Sequence, residues 1–159
     1  MSLVAKVKDA VNQLGQVTGP KAIRVQEAGQ TLSCQLDAVD QLALAFSDLE
    51  LFDDRLENAS MDRLSQVSKK LSAALTYLLE PIAPIEIDSD RCVVQMRSSP
   101  PSRDEDSRSY YELLVQRDGR LNLNRYTKPN GGMRLLVPAE VTREVFARLV
   151  GDFADAADE

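Results

Sequence analysis

Leu3, Val4, Val7, Val11 and Leu14 recur at helical spacing, with Lys6, Asp9, Asn12 and Gln13 filling the other side. The spacing predicts a short amphipathic helix ended by Gly15, then a linker through Thr18, Gly19 and Pro20. Residues 22–51 carry two patterns at once. Read with period two, Ile23 and Val25 alternate before a turn at Glu27–Gln30, and Leu32, Cys34, Leu36 and Ala38 alternate after it. Leu42, Leu44 and Phe46 follow a second turn at Asp40–Gln41, and Leu49 and Leu51 resume after a phase slip at Asp48 that suits a bulge. Read with period 3.6, Leu32, Leu36, Val39, Ala43 and Phe46 form a stripe. That stripe runs into Glu50 and Asp53 and leaves Cys34, Leu44 and Leu51 outside it, so a three-stranded meander is preferred over a helix.

Residues 60–80 predict the clearest helix. Ser60 is its N-cap, Asp62 sits in the first turn, and Leu64, Val67, Leu71, Ala74, Leu75 and Leu78 form one apolar face that Pro81 ends. From Pro84 the period becomes two. Ile85 and Ile87 lead to a turn at Asp88–Arg91, followed by Cys92, Val94 and Met96 on one face. Tyr111, Leu113 and Val115 alternate next, Asp118–Gly119 signals a hairpin, and Leu121 and Leu123 continue. Pro129–Gly132 is another turn, Met133–Val137 a last strand, and Val141, Val145, Phe146 and Leu149 the final helix, ending near Gly151. Ser98–Ser109 has no apolar residue and reads as a mobile loop.

The fold class expected is α+β. Antiparallel sheet in two strand groups packs with an N-terminal helix, a central helix at about 60–80 and a C-terminal helix at about 139–152. Residues 1–153 read as one domain whose first 20 residues are helix and linker, with a flexible acidic tail at 154–159. The halves share no residue-level repeat.

Composition adds limits. A chain of 159 residues with 43% hydrophobic residues can bury a core without disulfide or metal. The net charge of −6 disfavours general nucleic-acid binding, but residues 91–137 hold nine basic and five acidic groups, an island between acidic flanks. Cys34 and Cys92 form no paired motif and read as buried free thiols of a reducing compartment. The first 14 residues lack the apolar core of a signal peptide, no apolar run is long enough to span a membrane, and cytoplasmic residence is expected.

The absence of histidine excludes Ser-His-Asp and Cys-His chemistry and His-based metal sites, leaving carboxylate, Lys or Tyr chemistry open. Asp88, Ser89 and Asp90 are too few ligands for a tight cation site and read as a polar turn. Asp53 and Asp54, near Asp48 and Glu50, read as a solvated acidic edge. Asn130, Gly131 and Gly132, flanked by Lys128 and Arg134, could present backbone N–H groups to a phosphate, but a strand follows them and an ordinary hairpin turn is the simpler reading. No cofactor or metal is expected.

Alternation places Gln95, Arg97, Tyr110, Glu112, Leu114 and Gln116 opposite the Leu113 and Val115 face, and Asn122, Asn124 and Tyr126 opposite Leu121 and Leu123. The candidate site is Arg97, Tyr110, Gln116, Arg117, Asn122, Asn124, Arg125, Tyr126 and Arg134. Such a face suits a protein partner, since Tyr and Arg are typical anchors. The expected function is a non-catalytic interaction module, chaperone- or adaptor-like, working as a homodimer. A small anionic ligand or nucleotide site, conceivably enzymatic, using segment 91–137 through Arg97, Tyr110, Arg117, Arg125 and Arg134 is the alternative. Single-stranded RNA binding by stacking is a further one. In element order, size and a pI of 4.8 the chain resembles the dimeric α+β secretion chaperones. The likeness is one of architecture, without shared motif residues, and implies a fold rather than a partner.

Overall fold

Ser2, Ser60 and Thr142 each accept a hydrogen bond from the backbone N–H three residues on, and each starts a helix: α1 (Leu3–Leu14), α2 (Met61–Ala74) and α3 (Arg143–Asp155) in the computed structural model, which describes residues 1–159. The strands are β1 (Val17–Glu27), β2 (Gln30–Val39), β3 (Ala43–Glu57), β4 (Ile82–Asp88), β5 (Val93–Ser98), β6 (Ser102–Arg103), β7 (Ser107–Gln116), β8 (Asp118–Pro129), β9 (Leu135–Val137) and β10 (Ala139–Thr142). All ten join one antiparallel sheet in the order β1-β2-β3-β8-β7-β5-β4, with β10 on β3, β6 on β7 and β9 on β8. The protein is α+β, with N-terminal, central and C-terminal helices.

Register explains the core. Val25, Leu32, Leu51, Leu121, Val115, Val94 and Ile87 pair in succession across seven strands. The five middle members are fully buried, and each contributes about 1.5–3 kcal/mol by leaving water. One face of this sheet carries all three helices. α1 and α3 cover the β1–β3 half through Val7, Val11, Phe146 and Phe153, and α2 covers β4, β5 and β7 through Leu64, Val67 and Leu71. α1 and α3 touch at Gly151, where an added Cβ would meet Val4 Cγ2 at 3.6 Å, an ordinary van der Waals contact. The neighbouring row, Arg24, Ser33, Glu50, Asn122, Leu114, Gln95 and Glu86, lies on the opposite face, which no helix covers.

The meander at 22–51 forms as strands, and the slip at Asp48 is a bulge with φ of +48°. Other expectations change. Thr18–Pro20 is no linker but part of β1, where register shifts between Thr18 and Lys21. The two strand groups are one sheet, sewn together by β3 and β8. The central helix ends at Ala74 rather than about 80; Leu75 and Leu78 are still buried, in irregular chain. The stretch 98–109 is shaped by β6, which pairs with β7. The start assigned to the last helix, 139–142, is β10, and α3 runs through Gly151 to Asp155. The expected flexible tail at 154–159 is docked: Ala156 and Ala157 are buried, Arg63 donates to the Ala157 carbonyl, and Asp158 pairs with Arg55 at 2.7 Å. Cys34 is buried, but Cys92 sits half-buried in a turn with φ of +55°. Asp53, read as solvated, is buried and bound by Arg55.

Candidate recognition surface

The uncovered face is built at β5, β7 and β8. Tyr110 and Tyr126 oppose each other across β7 and β8, with ring centroids 6.1 Å apart. Arg97 lies over the Tyr110 ring at 4.6 Å and Arg134 over the Tyr126 ring at 3.9 Å. Both guanidiniums are drawn to Glu112, whose carboxylate is nearly buried between them: Arg134 Nη1 donates at 2.6 Å, Gln95 Nε2 at 3.0 Å, and Arg97 Nη2 lies 3.5 Å away. The Glu112 hydrogen bond pushes the Arg134 guanidinium pKa upward, and burial pushes the Tyr126 hydroxyl up, so the arrangement is cationic and protonated at neutral pH. Arg97 Nε is the one buried side-chain polar atom without a hydrogen-bond partner. A shallow groove of about 530 Å³ opens over these groups.

Five of the nine residues singled out from sequence lie here together: Arg97, Tyr110, Asn124, Tyr126 and Arg134. Asn122 and Gln116 lie farther along the same face. The asparagines also serve the fold. Asn124 Oδ1 accepts from the Asp48 N–H at 2.8 Å, and its Nδ2 donates to Asp48 and Asn122, which locks the bulge. Arg117 is elsewhere, in the β7–β8 bend, with Nη1 3.4 Å from Cys92 Sγ. Arg125 points to the helix-covered face. It is buried over Tyr111 and paired with Glu80 at 3.3 Å, and Glu80 also accepts from Ser98 and Ser102. The alternation that sent Tyr126 outward sends its neighbour inward.

Sequence reasoning placed Glu112 on this face but missed it as the hub of the cluster, since a lone acid among arginines reads as ordinary surface. It also missed a furrow of about 590 Å³ between α1 and α3, floored by Val7, Val11 and Phe146, because two helices far apart in the chain create it only by packing together.

No group of three or more His, Cys, Asp or Glu side chains is placed to hold a metal ion. Burial, reinforced by Asp37 and Asp48, raises the Cys34 thiol far above its usual range, so it carries no thiolate at neutral pH. No helix is long and apolar enough to cross a membrane. No family model matches the chain, and no similar curated protein or solved structure was found.

Proposed function

We propose that the protein is a non-catalytic interaction module of the chaperone or adaptor kind, which docks an acidic segment of a partner protein on the uncovered sheet face. The observation that carries this reading is the pair of Arg-on-Tyr stacks held by one buried glutamate. Tyr and Arg dominate interface energetics. Here their side chains are already fixed, so binding would order them at little further entropy cost. Arg97 and Arg134 each keep more than a third of their side-chain surface open to solvent, so a partner's carboxylate can reach them. The RNA alternative is less favoured, because guanidiniums already cover the ring faces on which bases would stack.

The working unit in this proposal is a homodimer. The apolar row of the sheet runs out at Ile87, which is 55% exposed on edge strand β4, as is Ile85 on the same strand at 52%. An exposed apolar edge of this kind marks an association surface. Cytoplasmic residence belongs to the same proposal and fits two free thiols.

A photoreactive residue at exposed Leu136, opposite Tyr126 in the β8–β9 pair, tests the docking face in the native cell. A discrete cross-linked protein is expected, lost on Arg97→Glu with Arg134→Glu and retained on Lys69→Glu, a change on the far side of α2. Cross-linking that survives the double reversal would refute the docking face.

A further inference from the structure

We propose that the end of this face holds a phosphate-binding site, formed where three cations line up across adjacent strands. Arg103 on β6 pairs with Arg108 on β7, and Arg108 pairs with Lys128 on β8, so the three stand side by side on one face. Like charges directly opposite in a sheet destabilise it. Around β5 and β8 on this face three arginines have acids: Arg97 and Arg134 share Glu112, and Arg120 has Asp118 and Glu50. Arg103, Arg108 and Lys128 form no salt bridge with any carboxylate. Three acids, Asp104, Glu105 and Asp106, lie in the adjoining β6–β7 turn without pairing with these cations, and Asp104 is occupied by the turn itself, accepting from the Asp106 N–H and from both the N–H and hydroxyl of Ser107.

A pocket of about 200 Å³ with an all-polar lining apart from Pro129 lies among these cations and the Asn130–Gly131 turn. The turn is fastened, not loose. Asn130 N donates to the Asp106 carbonyl at 2.8 Å and its Nδ2 to the Glu105 carbonyl at 3.2 Å, tying the β8–β9 turn to the β6–β7 turn. Gly131 has φ of +72° and open space where a side chain would be, so a ligand can approach its backbone. Three positive charges suit a dianion better than a single carboxylate, and a planar guanidinium offers parallel N–H donors to phosphate oxygens. The pocket shares Arg108 and Lys128 with the groove over the Tyr–Arg stacks. A phosphate on a docked segment would therefore sit at the groove's end. That placement rests on the reading of this face as a docking surface; the site itself does not.

Phosphate stabilises proteins in general by exclusion from their surface, so the full-length protein must be compared with a variant. Titrations of wild type and Arg108→Glu with inorganic phosphate at constant ionic strength, followed by calorimetry and thermal unfolding, make the comparison. Saturable binding to wild type is expected. In the variant, binding falls at least about tenfold, while the ligand-free melting temperature rises roughly 1–3 °C because the like-charge row is broken. Lys128→Glu should repeat both effects. A phosphoserine peptide of glycine and serine separates the sources. Affinity above that of inorganic phosphate assigns the site to a phosphorylated segment, and equal affinity assigns it to a free anion. Equal phosphate responses in wild type and both variants would overturn the proposal, as would a lower melting temperature in both variants. Neither result bears on the cross-linking test of the docking face.

Discussion

Two buried glutamates on opposite faces of the sheet do different work at the residue scale. Glu80 neutralises Arg125, which is only 9% exposed, so Glu80→Ala leaves a charge without a partner or water. The expected loss is about 3–5 kcal/mol in urea unfolding. Glu112 neutralises Arg97 and Arg134, which still reach solvent, and Glu112→Ala should cost less, about 1–3 kcal/mol. A third acid gives a pH signature. Burial tends to raise the Asp53 pKa, but hydrogen bonds from Arg55 and Gln30 outweigh it and hold the group below the usual carboxylate range. With its folded pKa lowered, Asp53 stabilises the protein above the unfolded value. That contribution is lost as pH falls from about 4 through the folded pKa. Asp53→Asn should therefore be less stable at pH 7, with the gap narrowing in acid, as unfolding curves measured at several pH values would reveal.

Among the elements, the turns and the C-terminus constrain most. Gly119 has φ of +98°, and an added Cβ would lie 2.9 Å from both the Asp53 carbonyl and Phe52 Cε2. Gly119→Ala is expected to lose about 1–3 kcal/mol by thermal unfolding. The docked terminus carries its own expectation. Truncation after Phe153 removes Ala156 and Ala157 from the core, the Arg55–Asp158 pair, and the carbonyls that receive Arg63 and Lys70. A loss of about 2–3 kcal/mol should follow, with α2 and β3 losing hydrogen-exchange protection first. Composition hid this element: acids and alanines read as a frayed end, whereas the contacts that hold it come from Arg55, Arg63 and Lys70, between 85 and 103 positions earlier. The linker reading of Gly19–Pro20 failed for a related reason. Pro is tolerated on an edge strand, and β1 is an edge.

At the scale of the whole molecule, the proposed dimer rests on the edge strand β4. Sedimentation equilibrium at tens of micromolar should give a dimer, and Ile85→Asp with Ile87→Asp should give a folded monomer, since both residues are already exposed in the single chain. A wild-type monomer at that concentration would remove the dimer from the proposal.

Much of this was readable without coordinates, because hydrophobic period reports which side of an element is buried. Alternation through Leu113, Val115, Leu121 and Leu123 placed Tyr110 and Tyr126 outward, and helical spacing placed Leu64, Val67 and Leu71 inward. Caps at Ser60 and stops at Gly15 are local effects of a few residues, so the chain specified them by itself. Period cannot say which strands become neighbours. The β3–β8 pairing, the charge row of Arg103, Arg108 and Lys128, the burial of Arg125 against Glu80 and the fastening of the last residues all depend on partners distant in sequence. Only the assembled sheet brought those groups within reach of one another.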